Sequence, residues 1–353
     1  MKPVEQHTRP DPDLLLRNLQ EQEAKSRRGK LKIFFGMCAG VGKTYDMLKS
    51  AQEDKSKGVD LAVGIVETHR RVETEALLKG LDILPRRKVE YRGANLEEMD
   101  IDGILARKPA LVLVDELAHT NAPGSRHTKR YQDVLELLDN GINVYTTVNV
   151  QHLESRADTV AQITGSTMRE TVPDSIFDHA DEVELIDIPP DELLRRLSDG
   201  KVYSPERSKQ AIESFFQKGH LTALREMSLR LTAERVDHQL RDYMAEQSIQ
   251  GPWKSGQRLI VGISPSPESI KLIRWARRMA YTLNATWVAL YVEKPTPLPQ
   301  AFQEQLGKNL NLARELGAEV VTTSDDDLVS ALLRVARQEN ATQILIGKSF
   351  EHP

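Results

Sequence analysis

Short apolar segments with the pattern of β-strands alternate with segments of helical periodicity through much of this 353-residue chain. Parallel strands need a crossover connection, which is usually a helix. The alternation therefore predicts an α/β fold with a mainly parallel sheet and helices on both of its faces. The strand-like segments cover residues 31–35, 60–66, 88–92, 110–115, 142–149 and 182–188. The helical segments cover residues 43–57, 72–81, 128–139, 151–163 and 190–199.

A glycine-rich stretch follows the first predicted strand and leads into the first predicted helix. It consists of Gly36, Met37, Cys38, Ala39, Gly40, Val41, Gly42, Lys43 and Thr44. A strand, a glycine-rich turn and a helix that opens with Gly-Lys-Thr are the context of a phosphate-binding P-loop. Its backbone N–H groups would surround phosphate oxygens, Lys43 would reach the outer phosphates, and Thr44 would bind Mg²⁺. Met37 departs from the P-loop pattern, because it occupies the position where the first glycine is expected. The alternative to a P-loop is a glycine-rich turn that resembles one by chance.

Two acidic residues end a second informative segment. Residues 111–114 are consecutively apolar, as in a buried parallel strand, and Asp115 and Glu116 follow them. This is the Walker B pattern, in which Asp115 would hold the Mg²⁺ shell through water. Glu116 is the candidate general base that polarises an attacking water. Taken alone, residues 111–116 could also be a core strand that ends in two acids by chance. Together the two motifs predict ATP and Mg²⁺ as cofactors.

The length of the chain favours two domains over a single core. Residues 1–27 are expected to form a polar N-terminal arm, and residues 28–246 a P-loop-type domain. The last part of that domain, from Ser204 to Glu246, has helical patterning without strands and predicts a helical appendage. Residues 247–256 are predicted to be a linker, since they contain a Gly-Pro pair.

A second α/β domain is expected over residues 257–353. Its predicted strands cover residues 258–264, 285–292, 319–323 and 343–347, and its predicted helices cover residues 267–283, 306–316 and 327–338. A doubly wound sheet would normally carry a further helix, so this domain is expected to be incomplete and the chain to be part of something longer.

Composition and charge exclude several classes of protein. Charged residues make up 28% and the formal net charge is −4, so nothing indicates nucleic-acid binding. The sole cysteine, Cys38, excludes a disulfide framework and fits a reducing cytosol. Neither an apolar run of membrane-spanning length nor a signal peptide is present, so the chain is expected to be soluble as it stands.

Several longer strings resemble one family of signalling proteins. They are Gly-Val-Gly-Lys-Thr-Tyr (40–45), Val-Glu-Thr-His (66–69), Asp-Glu-Leu-Ala-His-Thr-Asn-Ala-Pro-Gly-Ser-Arg-His (115–127), Thr-Thr-Val-Asn-Val-Gln-His-Leu-Glu-Ser (146–155), Arg-Glu-Thr-Val-Pro-Asp (169–174) and Gly-Lys-Val-Tyr (200–203). They resemble the N-terminal cytoplasmic region of KdpD, the family of osmosensitive, potassium-responsive sensor histidine kinases. Residues 257–349 resemble the universal-stress-protein domain that follows this region in the family.

The resemblance implies a role in bacterial two-component signalling. This chain would be the cytosolic, ATP-binding input portion of an inner-membrane histidine kinase that controls potassium-uptake genes. Its partners would be a KdpE-type response regulator and the remainder of the kinase, whose membrane helices and kinase core this chain lacks. Some relatives bind cyclic di-AMP at the universal-stress domain, which makes that molecule a further candidate ligand.

Three more residues are candidates for a switch or sensor. His69 follows a predicted strand at the edge where open α/β sheets bind ligands, and Arg126 lies in a long loop after the Walker B strand. Asn149 ends the next strand and is a candidate sensor of the γ-phosphate. For each residue the alternative is structural: a solvated turn for His69, a surface loop for Arg126, and a satisfied turn backbone for Asn149.

Three functions remain open on the sequence alone. The favoured one is a regulatory module in which bound ATP biases a histidine kinase. The second is an autonomous P-loop ATPase or small-molecule kinase, which would need a substrate site for which no motif is visible. For the regulatory module, at most weak ATP hydrolysis is expected. The third is a non-hydrolysing interaction scaffold, which the joint presence of Lys43, Thr44, Asp115 and Glu116 disfavours.

Overall fold

The computed structural model describes residues 28–69, 71–91, 94–200, 202, 215–246, 257–283, 285–295 and 298–347. The chain divides into two compact units at residues 233 and 234. The predicted N-terminal arm and the predicted linker at 247–256 lie outside the described residues. Among the described residues, no helix has the length and apolar character needed to cross a membrane.

The first unit contains a six-stranded sheet in which all strand pairs are parallel, in the order β3-β2-β6-β7-β1-β8. The strands up to residue 185 are β1 (Leu31–Gly36), β2 (Leu61–Ile65), β3 (Asp82–Ile83), β4 (Arg87–Tyr91), β5 (Ala94–Glu98), β6 (Leu111–Val114), β7 (Asn143–Asn149) and β8 (Glu182–Leu185). The predicted α/β class with a mainly parallel sheet is confirmed.

The helices that connect these strands are α1 (Lys43–Ser56), α2 (Val72–Ala76), α3 (Ile101–Arg107), α4 (Arg130–Asp139), α5 (Glu154–Thr164) and α6 (Ser175–His179), with a 3₁₀ turn at Val150–His152. After β8 come α7 (Pro190–Ser198) and α8 (Lys218–Glu246), and the division between the two units falls within α8. The prediction missed α3, although Asp100 gives a cap signal: its side chain accepts from the N–H of Gly103. The segment predicted at 72–81 is helical only to Ala76. Residues 204–214 of the predicted appendage lie outside the described residues.

The strand predicted at 88–92 corresponds to β4, but it does not join the parallel sheet. It pairs antiparallel with β5 in a separate hairpin. The central strands of the parallel sheet are continuously apolar, as in β6, where all four residues are buried. The charged and largely exposed β4 has no apolar face to bury, which explains its place outside that sheet.

The carboxyl ends of three central strands bring the predicted motifs together. In the register of β1 and β7, Gly36 lies beside Asn149, and in that of β6 and β7, Val114 lies beside Thr146. The glycine-rich stretch and Asp115 therefore begin at the same edge of the sheet. This is the edge where open α/β sheets bind their ligands.

The second unit is a four-stranded parallel sheet in the order β11-β10-β9-β12. Its elements are β9 (Arg258–Gly262), α9 (Ser269–Thr282), β10 (Thr286–Glu293), α10 (Gln300–Glu315), β11 (Glu319–Ser324), α11 (Leu328–Gln338) and β12 (Gln343–Leu345). Each strand and helix predicted here is present, although α10 begins six residues before the predicted 306. Arg258, the first residue of β9, is buried and pairs with Glu319 at 2.5 Å and with Glu339 at 2.8 Å.

Leu113 offers a test of the first unit's core. It is fully buried in β6. We expect Leu113→Ala to lower the free energy of unfolding by about 2–5 kcal/mol, because it leaves a cavity between sheet and helices. Urea unfolding followed by circular dichroism measures this change. The matched control is Leu229→Ala, since Leu229 is 42% exposed; equal losses in both variants would contradict the assignment of this core.

Candidate functional site

A cavity of about 650 Å³ lies in the first unit, at the carboxyl ends of β1, β6 and β7. Nine of the residues singled out from the sequence line it: Ala39, Gly40, Gly42, Lys43, Thr44, His69, Asp115, Glu116 and Asn149. Gly36, Met37, Cys38 and Val41, from the same glycine-rich stretch, belong to the buried layer behind the cavity. The structure thus gathers most of the predicted site around one opening.

The glycines at 40 and 42 have backbone conformations that other residues rarely adopt. Their φ angles are 91° and 115°, in the left-handed region. A Cβ on Gly40 would also come within 2.8 Å of the Val202 side chain. Gly42 is the N-cap of α1 and has no side chain to cap the helix, so the first turn of α1 begins with uncapped N–H groups beside the cavity.

Lys43 reaches back across the loop from the first position of α1. Its residue surface is 7% exposed, and its Nζ donates to the carbonyl oxygen of Cys38 at 2.9 Å. Burial, assisted by the positive charge of Arg71, lowers the pKa of Lys43 to about 8. The buried ammonium thus has a neutral carbonyl as its hydrogen-bond partner, and a nearby anion would stabilise its charge.

Asp115 is the most fully bonded acid of the site. It is 1% exposed and accepts hydrogen bonds from the hydroxyls of Thr44 and Thr147 and from the N–H groups of Glu67 and Glu116. Burial raises the pKa of Asp115, although the bonds from Thr147 and the two amides oppose this shift. Thr44 Oγ1 lies 3.2 Å from Asp115 Oδ2, so a hydroxyl and a carboxylate meet at the start of α1.

Glu116 faces two basic side chains. Its Oε1 lies 3.7 Å from His69 Nε2, and its Oε2 lies 3.9 Å from Arg130 Nη1. The contact with His69 is the main reason that the pKa of Glu116 is lowered, and Glu116 in turn raises the pKa of His69. Both Glu116 and His69 have positive φ angles, 54° and 50°, so the site contains two strained non-glycine residues.

Four residues of the site were missed by the sequence analysis. Arg71 and Arg196 line the cavity, where Arg71 donates to the carbonyl of Val202 and Arg196 to that of Gly40. Neither Arg130 nor Glu98 lines the cavity: Arg130 contacts Asp115 and Glu116, and Glu98 pairs with Arg130. The position of Arg71 shortly after β2 was a signal that the sequence analysis could have used. Arg196 and Arg130 on helices and Glu98 on a hairpin belong to no motif, so the sequence gave no signal for them.

Two predicted sensor residues have different surroundings. Arg126 does not line the cavity; it forms ion pairs with Asp102 at 3.0 Å and with Glu136 at 2.7 Å. Asn149 lines the cavity, and within the described part of the chain its buried Oδ1 has no hydrogen-bond partner. Unmet hydrogen-bonding capacity of this kind is uncommon in folded proteins and marks Asn149 as a residue that a ligand could satisfy.

The second unit holds a smaller cavity of about 390 Å³, lined in part by Tyr291, Glu293 and Lys294. The residues at the end of β9 do not line it. There the carbonyl of Ser264 accepts from Asn309 Nδ2 at 3.0 Å, and Asn309 is fully buried. This interaction ties the β9 turn to α10.

The first unit is thus an α/β domain with a loop–helix cavity whose walls carry Lys43, Thr44, Asp115 and Glu116. The family model for the sensor domain of osmosensitive K⁺ channel histidine kinases, KdpD, matches residues 27–236. The chain belongs to this KdpD family.

Similar proteins include the sensor protein KdpD of Escherichia coli K12, 51% identical over 96% of this chain, and that of Clostridium acetobutylicum, 47% identical over 98%. The chain spans 38% of the length of each of these two relatives. A KdpD-type sensor protein of Synechocystis is 42% identical over 92% of this chain, and the match covers 86% of that relative.

Solved structures give fainter matches. One is a universal stress protein in complex with cAMP, 22% identical over 25% of this chain, with a TM-score of 0.21. Another is a protein of the universal stress family from Burkholderia pseudomallei, 21% identical over 28% of this chain, with a TM-score of 0.23. Likenesses of this size support no conclusion about function.

The buried thiol of Cys38 gives a test of how tightly the loop packs. Cys38 is fully buried, and burial raises its pKa to about 12. We expect iodoacetamide to modify it at least about a hundredfold more slowly in the folded chain than in denaturing urea, because thiolates are the reactive form. Mass spectrometry follows the modification of this sole cysteine. Similar rates under both conditions would show that the loop is open to solvent.

Proposed function

We propose that the first unit binds ATP–Mg²⁺ in the cavity and that its nucleotide state regulates a sensor histidine kinase. The observation that carries this proposal is the convergence of Lys43, Thr44, Asp115 and Glu116 on one cavity at the carboxyl edge of a parallel sheet. These are the residue types that P-loop proteins use for phosphate, Mg²⁺ and water.

The charges around the cavity favour a polyphosphate at one side of it. Lys43, Arg71 and Arg196 are three basic residues that line the cavity near the glycine-rich stretch. The depressed pKa of Lys43 reflects both burial and repulsion from Arg71, and a phosphate group would relieve both. The uncapped first turn of α1 adds N–H donors and the positive end of its dipole.

The Thr44 hydroxyl and the Asp115 carboxylate are suited to hold Mg²⁺. Asp115 is almost fully buried, and the cost of burying its charge is reflected in its raised pKa. A divalent cation would offset this cost, and hydroxyl and carboxylate oxygens are the ligands that Mg²⁺ accepts. Thr44 and Asp115 would hold the ion, Asp115 through water. The ion would supply charge neutralisation for the outer phosphates.

Glu116 is proposed to accept the proton of an attacking water. His69 and Arg130 lie close to its two carboxylate oxygens and weaken it as a base. Hydrolysis should therefore be slow, as suits a regulator that must keep its nucleotide bound. Rapid turnover would instead favour the autonomous ATPase or small-molecule kinase.

The output of the site is proposed from the family. In the longer relatives, of which this chain spans 38%, the region would be the cytoplasmic input portion of an inner-membrane kinase. ATP occupancy would bias phosphate transfer to a KdpE-type response regulator and so the expression of potassium-uptake genes. The second unit would be the universal-stress-protein-like domain, with cyclic di-AMP as its candidate ligand.

Lys43→Ala tests nucleotide binding. It removes a charge-assisted contact with the phosphates, so we expect ATP–Mg²⁺ affinity to fall by about tenfold or more in isothermal calorimetry. Lys49→Ala is the matched control, because Lys49 is an exposed lysine of the same helix and should leave affinity unchanged. Undiminished affinity in Lys43→Ala would count against this binding site.

Glu116→Gln separates binding from hydrolysis. The amide keeps the size of the side chain but cannot accept the proton of water, so ATP affinity should stay within about threefold while turnover falls by roughly a hundredfold or more. Calorimetry and release of inorganic phosphate measure the two quantities. Wild-type turnover of many ATP molecules per second would refute the regulatory function. An unchanged turnover rate in Glu116→Gln would refute the role of Glu116.

A further inference from the structure

A buried guanidinium is one of the groups that hold the strained backbone at Glu116, whose N–H also donates to Asp115 Oδ1 at 3.0 Å and to Thr147 Oγ1 at 3.1 Å. Arg130 Nη1 donates to the carbonyl oxygen of Asp115 at 2.9 Å and lies 3.4 Å from that of Glu116. These carbonyls belong to the peptide units on both sides of the Glu116 Cα atom, whose φ is 54°. A left-handed conformation in a residue with a Cβ persists only where its surroundings enforce it. Arg130 contributes to that enforcement at both carbonyls, from behind the cavity.

Arg130 depends in turn on Glu98, the last residue of the β4–β5 hairpin. The Arg130 side chain is 2% exposed and that of Glu98 is 8% exposed, with Nη2 and Oε2 3.5 Å apart. A buried guanidinium without a carboxylate is strongly destabilising, so Glu98 makes its burial tolerable. Glu98 is itself fixed by the N–H of Ala122 at 2.7 Å and by His119 Nε2 at 3.1 Å.

The same guanidinium also faces the carboxylate that it supports. Arg130 Nη1 lies 3.9 Å from Glu116 Oε2, while His69 approaches Oε1 from the other side. Arg130 therefore contacts both the backbone and the side chain of Glu116. Arg130 and Glu98 do not line the cavity, whereas Glu116 does.

We propose that Arg130, neutralised by Glu98, is the positioning residue that aims the Glu116 carboxylate at the water in the cavity. This inference rests on the proposed function, in which Glu116 takes a proton from water. The water oxygen forms a bond to the γ-phosphorus as the bond from that phosphorus to the bridging oxygen breaks. ADP leaves with the electron pair, and Glu116 returns the proton to solvent.

Two variants of this pair test the proposal by a split between binding and turnover. Arg130→Lys keeps the charge, but a single ammonium cannot reach two carbonyls and Glu98 together. Glu98→Gln keeps an acceptor for Ala122 while removing the charge that fixes Arg130. We expect single-turnover hydrolysis to slow by at least about tenfold in Arg130→Lys and by about threefold or more in Glu98→Gln. ATP affinity should stay within about threefold in both variants.

Arg258→Lys is the matched control for disturbing a buried arginine. Arg258 is 7% exposed and pairs with two glutamates in the second unit. Its variant should hydrolyse ATP at the wild-type rate. Circular dichroism and thermal unfolding establish that each variant is folded; if Arg130→Lys does not fold, Glu98→Gln alone decides the question.

The outcomes separate this proposal from the one on which it rests. A wild-type chain that binds no ATP in calorimetry overturns both. Normal ATP binding with unchanged turnover in the folded variants overturns the positioning role alone, as does an equal loss of affinity and rate, since that would mean general damage to the site. Normal binding with no detectable wild-type hydrolysis over hours also overturns it, because Glu116 would then have no reaction to support.

Discussion

The burial of one carboxylate organises the first unit. Asp115 lies at the end of the central strand β6, and its oxygens accept hydrogen bonds from α1, from β7 and from the turn after β2. A buried charge is tolerated only when it is hydrogen-bonded in this way. The hydrogen bonds that Asp115 needs therefore hold the three elements in a common arrangement. The cavity exists because these elements meet there without filling the space above the carboxylate.

The site has two layers with different tasks. The front layer lines the cavity and carries the groups proposed to meet nucleotide, including Lys43 and Thr44. The back layer consists of the buried pair Arg130 and Glu98, of which Arg130 contacts the front layer through the backbone carbonyls of Asp115 and Glu116 and through the Glu116 carboxylate. A buried ion pair adds little net stability compared with apolar packing, so its value is better sought in the geometry that it imposes. The β4–β5 hairpin is thereby connected to the site through its final residue.

Much of this arrangement could be predicted from the sequence, and the reasons for the misses are physical. Consecutive apolar residues identify β6, and glycines that need positive φ identify the loop, because both are local signals. The contact between Glu98 and Arg130 depends on a hairpin folding back on a helix start, for which no local pattern exists. The charged β4 was correctly predicted as a strand, but its pairing partner is decided by tertiary structure. Arg126 was a reasonable candidate by position, yet its charge is engaged by Asp102 and Glu136.

The position of β1 in the sheet has a consequence for how the chain folds. Its Leu31 pairs with Val144 and its Lys32 with Glu182, so this apolar strand gains both neighbours only after much of the unit has been synthesised. Contacts between residues so distant in sequence form slowly, because a long loop must close first. On the ribosome β1 would emerge early and remain exposed while its partners are still being made. Until β7 and β8 are available for pairing, the apolar residues of β1 would therefore be open to association with other chains.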